Sequence, residues 1–191
     1  MPPKPRITRE MILDAAFAIA REQGSECISA RTIAERLGCS TQPVLYWFDH
    51  VEDVRREVYR MADEYHTACL MDIGESADPM MAIGLNYIRF ASREKRLFRL
   101  LFQTDSFGGQ GIVQMIDQPD MAPMLEILCR EAGLTMTQAK QAFRVLLLLV
   151  HGWASMLANN TMPLDEAEIV STLTTAFMGT IGALKMEGEA E

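Results

Sequence analysis

The chain has 191 residues, of which 49% are hydrophobic and 23% charged, and a net charge of −8. That is core material for one domain or two small ones, and it excludes a disordered chain. The acidity speaks against a nucleic-acid-binding protein, which ordinarily carries a basic excess.

From the N-terminus, Met-Pro-Pro-Lys-Pro-Arg has no apolar run behind it, so no secretory leader is expected. The four cysteines (Cys27, Cys39, Cys69, Cys129) are dispersed, without the close spacing of a metal site. A reduced, cytoplasmic chain follows. Thr8 caps a first helix to about Gln23, with Ile12, Ala15, Ala16, Ile19 and Ala20 on its buried face. Two short helices follow over about 30–37 and 41–47. A long helix over about 51–73 places Val54, Val58, Met61, Ala62, Tyr65 and Cys69 on one side. Further helices are expected over about 79–92, 94–103 and 119–132. Thr135 with Gln138 and Asp165 with Glu168 are capping boxes for two last helices, to about Asn159 and Met186. Gly24, Gly38, Gly74 and Gly133 punctuate the pattern as helix ends. No run alternates with period two, so the fold is expected to be all-α, with about nine helices. Val145–Leu164 lacks Asp, Glu, Lys and Arg over 20 residues. It contains His151, Ser155, Asn159, Asn160 and Pro163, which makes it a buried helix of a soluble protein and not a membrane span.

Residues 30–49 satisfy the steric demands of a helix-turn-helix. Ala34 is the small residue where the two helices cross. Gly38 permits the sharp turn, and Val44 closes the corner. Ile33, Leu37, Cys39 and Trp47 are apolar at the remaining inward positions. Ser29 and Ser40 are placed to cap the two helices, and Pro43 falls in a first turn, where a missing N–H costs little. Thr41, Gln42, Tyr46 and Trp47 remain for contact with DNA. Gln42 can read adenine bidentately, and Thr41 and Pro43 can meet a thymine methyl. Arg31, at a helix start, can hold a phosphate.

At these residues the sequence resembles the tetracycline-repressor-type (TetR/AcrR) family of transcriptional regulators. The resemblance covers the whole chain. It rests on the helix from Thr8, on Thr32–Gly38, on Ser40-Thr41-Gln42-Pro43 with Phe48, on Tyr87–Ala91 and Leu97–Phe102, and on Val150-His151-Gly152-Trp153. It implies a homodimer with an N-terminal three-helix DNA-binding domain (1–50) and a C-terminal helical domain (51–191) for effector binding and dimerisation. The family usually has a Tyr near the end of the recognition helix and a Lys at the start of the fourth helix, both touching phosphates. Aligned on Phe48, those positions are Leu45 and Val51, with His50 as a partial substitute for the lysine. A second register, with one more residue before Gln42, makes Tyr46 the contact. Both registers stay open. The resemblance also implies an effector cavity among Phe98, Phe102, Met121, Leu125, Phe143, Leu147, His151 and Trp153, residue types that suit an apolar or amphipathic ligand.

The charge is unevenly distributed. Residues 1–60 hold 9 Lys+Arg and 9 Asp+Glu, so the entire −8 lies in residues 61–191, with 9 and 17. The neutral head with a basic arm (Lys4, Arg6) removes the initial objection, and the arm can follow a phosphate strand or enter a minor groove. The last two long helices carry apolar faces, with Leu146, Leu149, Val150 and Met156 on one and Ile169, Leu173, Phe177 and Ile181 on the other. Paired across a two-fold axis they make a four-helix bundle.

No enzyme is expected, and no cofactor or metal. There are three histidines, and Asp63-x-x-His66 is half of a di-iron motif without its second half. No nucleophile elbow occurs, and Gly108-Gly109-Gln110-Gly111 lacks the Lys-Ser/Thr of a phosphate loop. The expected partners are an operator duplex, a small effector and a second copy. A helical ligand-binding protein or adaptor that has lost its operator is the alternative.

Overall fold

The computed structural model describes residues 7–104 and 111–188. Lys4, Arg6 and the first three residues of the glycine-rich segment lie outside them. The described residues form ten α-helices and two 3-10 turns, with no strand. The all-α expectation is met.

The chain divides into two compact units, Met1–Thr67 with Glu94–Thr104, and Ala68–Arg93 with Asp105–Glu191. The first holds α1 (Arg9–Gln23), α2 (Ala30–Leu37), α3 (Gln42–Trp47), most of α4 (Val51–Met71) and α6 (Lys95–Phe102). Thr8 caps α1 by accepting from the Met11 N–H, as its sequence position suggests. Ile12, Ala15, Ala16, Ile19 and Ala20 are buried, as are Ile33, Val54, Val58 and Ala62. The unit extends past residue 50 because α6 returns to α1. Arg21 of α1 forms an ion pair with Glu94, immediately before α6, and the Tyr65 hydroxyl lies 3.4 Å from Glu94 Oε1.

The second unit holds α5 (Pro79–Arg93), α7 (Ile112–Ile116), α8 (Ala122–Ala132), α9 (Met136–Asn159) and α10 (Glu166–Gly188). Its core joins Leu125 and Leu128 of α8, Ala139, Ala142, Phe143 and Leu146 of α9, and Ile181 and Leu184 of α10. The Thr135–Gln138 capping box starts α9, and Asp165 Oδ1 accepts from the N–H groups of Ala167 and Glu168 at the start of α10. Arg89 of α5 grips Glu166 with two bonds of 2.7 and 2.6 Å. The helix missing from the sequence reading is α7. Its five residues are too few for an amphipathic period, and the Gln114 side chain starts it by accepting from the Gly111 N–H.

His66 of α4 is buried, with its ring edge-on to Phe102 at 5.0 Å between centroids. Burial pushes its pKa down from 6.5 to about 4. The folded protein therefore keeps a neutral imidazole where the unfolded chain takes up a proton. Stability is fully present above about pH 6.5 and falls as pH drops toward 4, by on the order of 3 kcal/mol. We expect the urea midpoint to fall between pH 7 and 4.5, and His66→Gln to flatten that part of the profile. Equal pH profiles for the two proteins would contradict this.

Candidate nucleic-acid interface and ligand-binding core

The turn between α2 and α3 is built as its sequence requires. Ser29 and Thr32 form a reciprocal capping box at the start of α2. Gly38 ends that helix at φ +65°, a left-handed conformation that a β-carbon would strain. Ala34 and Val44 are buried at the crossing and the corner. Ser40 does not cap α3. The helix begins one residue later, with Thr41 already helical and its carbonyl accepting from both Val44 and Leu45 at 3.1 Å. With Pro43 lacking an N–H, that shared carbonyl closes the first turn without a side-chain cap. Ser40 remains exposed beside it.

Val44 and Phe48, one turn apart, are buried and fasten one face of this element to the head. At 100° per residue the opposite face carries Gln42 and Tyr46, with Leu45 on one flank and Pro43 on the other. Leu45 is 58% exposed and Tyr46 71%. Both candidates for the family's phosphate-contacting position therefore face outward. Thr41 and His50 are exposed as well, while Val51, the first residue of α4, is half-buried. Arg31 stands out in solvent, paired with Glu35 at 3.0 Å. Such an exposed pair is worth under about 1 kcal/mol, so a phosphate can take the guanidinium from it.

Trp47 differs from expectation. Its indole N–H donates to the Ile7 carbonyl at 3.2 Å, which uses the side chain's single polar hydrogen. Arg9 lies over the Phe48 ring at 5.1 Å and pairs with Glu57 at 2.7 Å. These contacts anchor the root of the basic arm beside α3. Replacing Trp47 with Phe keeps an aromatic side chain, though a smaller one, and removes the donor, a loss of about 1 kcal/mol. We expect tryptic cleavage after Arg6 to quicken severalfold at an unchanged far-UV circular dichroism spectrum, as checked by mass spectrometry. An unchanged cleavage rate would show that the bond does not hold the segment.

An open cleft of about 390 Å³ adjoins this root, lined among others by Arg9, Phe48, Asp53, Arg56, Glu57 and Arg60. Its cations are already matched. Arg9 and Arg60 hold the Glu57 carboxyl below the usual carboxylate range, and Arg56 pairs with Asp53.

The eight effector-site candidates are shared between the two units. In the first unit Phe98 is fully buried against Phe102, with ring centroids 5.0 Å apart. In the second, Leu125 and Phe143 are buried in the core, with Met121 and Leu147 packed against it. Trp153 and His151 are half-buried. The His151 Nδ1 lies 2.9 Å from the buried Tyr87 hydroxyl, a polar pair between α5 and α9. Burial pushes the His151 pKa down and the Tyr87 pKa up, so both groups are held neutral near pH 7.

The proposed dimer residues divide differently. Ile169, Leu173 and Ile181 are buried within the protomer, and Phe177 packs against its core. They face α5 and α9 because that is the apolar side α10 must bury first. Leu149 is half-buried, and Met156 is exposed. The outward face of α9 is Val145, Leu148, Gly152 and Met156, and that of α10 is Ser171, Thr175, Met178, Gly182 and Met186. Each set recurs at helical spacing directly opposite its own buried face.

A family model for the tetracyclin repressor-like C-terminal domain matches residues 80–177. The chain is 36% identical over 75 residues to the class D tetracycline repressor protein of Escherichia coli, and equally to the class H protein of Photobacterium damsela subsp. piscicida. Each match covers 37% of this chain and 33% of the relative, so the chain spans about a third of the length of the curated relatives it matches. With just over half of its residues inside the family model and a helix-turn-helix head before them, this chain belongs to the tetracycline repressor-like family.

Proposed function

We propose that this protein is a ligand-responsive transcriptional repressor that binds a pseudo-palindromic operator as a homodimer. The observation that carries the reading is the outward face of α3. Gln42, Leu45 and Tyr46 stand exposed on a short helix that Val44 and Phe48 anchor to a buried three-helix head. A face so presented suits entry into a major groove. Arg31 and His50 supply phosphate contacts, and the arm with Lys4 and Arg6 adds reach. The neutral head makes few such contacts, so the salt dependence is shallow.

A small apolar or amphipathic effector is read by the second unit, near the Tyr87–His151 pair. Its binding shifts the population toward a form whose two reading helices no longer match the half-site spacing. Regulators of this family are generally non-enzymatic, soluble and cytoplasmic, and we assign this chain the same character. Helices α9 and α10 are each long and apolar enough to cross a membrane. We read α9 as the central core helix of the second unit and the open side of α10 as a surface for a second copy.

The test is a footprint of the purified protein on DNA flanking its own gene, at two salt concentrations. The expected result is two protected half-sites with two-fold symmetry and a modest loss at higher salt. No protection at either concentration would leave the helical ligand-binding protein without an operator as the reading.

A further inference from the structure

The reading face of α3 lacks a group that most specific DNA readers use. The helix runs Gln-Pro-Val-Leu-Tyr-Trp and contains neither Arg nor Lys. Arginine and lysine are the side chains that take the O6 and N7 acceptors of guanine. The outward face instead carries one amide, Gln42, with the isobutyl group of Leu45 beside it. The two are three residues apart, neighbours on one helix face with β-carbons about 5–6 Å apart. Tyr46 flanks the same amide one turn on. The Trp47 N–H is committed to Ile7, which removes the remaining nitrogen donor at this end of the helix.

We propose that Leu45 is a specificity-determining residue, selecting A·T base pairs through contact with a thymine C5-methyl next to the adenine that Gln42 reads. The inference rests on the operator-binding reading above and names the chemistry of its half-site. In the major groove the thymine methyl is the apolar feature that distinguishes one base edge from the others. A leucine more than half exposed beside an adenine-reading amide matches that feature in size and polarity. The Gln42 amide meets both a donor and an acceptor on adenine, whereas guanine offers two acceptors there. The two side chains therefore favour the same base pairs, and the half-site beneath α3 is A·T-rich, with its thymine methyls turned toward the protein.

The experiment uses the full-length protein. Its preferred duplex is first selected from a random-sequence pool, and each thymine of the half-site is then replaced singly by deoxyuridine, which deletes only the methyl. We expect A·T pairs under α3 and a loss of about fourfold in affinity at one or two thymines, the worth of one buried methyl. Leu45→Ala, which removes the contact from both half-sites of the dimer, should bind the thymine duplex about sixteenfold more weakly and show no further loss with deoxyuridine. Its side chain is exposed, so the variant should melt at the wild-type temperature, which circular dichroism checks. Guanine under α3 in the selected duplex would overturn the proposal. So would tight binding that is indifferent to every methyl deletion, or deoxyuridine losses that persist in full in Leu45→Ala. Failure to select any duplex would overturn the operator reading itself, a result distinct from these three.

Discussion

Replacing Gln42 and Tyr46 together with alanine is expected to lower operator affinity by a hundredfold or more while the protein stays folded. One good base contact is worth about 1–3 kcal/mol of discrimination, and a two-fold dimer loses it in both half-sites. Losing even the lower value for both residues in both half-sites amounts to several powers of ten in the association constant. Folding should be nearly untouched. Gln42 is exposed, Tyr46 is 71% exposed, and the Val44 and Phe48 side chains that fasten the helix are unaltered. Surface changes of this kind shift stability by about 0.5 kcal/mol or less. The double variant also loses the Tyr46 ring, which stands edge-on to Trp47 at 5.3 Å. Fluorescence anisotropy on the footprinted duplex measures the affinity, and thermal melting measures the fold. Wild-type affinity in the double variant would show that α3 is not the reading helix.

Met178→Glu is expected to convert the proposed dimer into monomers and to abolish tight operator binding with it. Met178 is 66% exposed at the middle of the outward face of α10. A two-fold interface uses the same patch twice, so one substitution buries two unpaired carboxylates. Each costs several kcal/mol once desolvated, enough to dissociate an interface of ordinary size. Glycines support the choice of face. Gly152 and Gly182 sit inside long helices, where glycine costs about 1 kcal/mol relative to alanine, yet a β-carbon at either would meet nothing within 4 Å. Among the described residues no close neighbour calls for a glycine at either position, whereas the backbone of a second copy packed closely there would. A monomer also loses the gain from engaging two half-sites at once. Sedimentation or light scattering gives the mass, and anisotropy the affinity. A variant that remains dimeric would place the interface elsewhere. Leu173→Glu is the contrasting change: its site is buried in the protomer, so it should unfold the second unit and not merely separate the copies.

Much of the site was legible because helix-turn-helix geometry is local. The small residue at 34, the glycine at 38 and the branched residue at 44 are steric requirements written within eleven positions, and the structure meets each of them. The start of α3 was harder. Ser40 and Thr41 are both good cap residues, and what decides between them is the backbone dihedral of Thr41, which composition does not reveal. Trp47 was ambiguous for a related reason. Its apolar ring suits an inward position and its N–H suits a base edge. The carbonyl that takes the N–H belongs to Ile7, forty residues away.

The amino-acid pattern alone determined the class of fold, the order of its long helices, their caps and the position of the short helix α3 after the turn at Gly38. Each of these depends on neighbours within one or two turns. Which face of α9 and α10 is inside was decided only in the tertiary structure. Both helices are apolar or small on two opposite sides, so periodicity marks two faces and does not rank them. Packing against α5 and α8 ranks them: Ile169, Leu173 and Ile181 turn inward, and the stripe through Leu148, Met156, Met178 and Gly182 stays exposed. The pairing of Tyr87 with His151 and the placement of α6 against α1 belong to the same category. They join residues far apart in sequence, and burial made these few contacts out of many that the sequence permits.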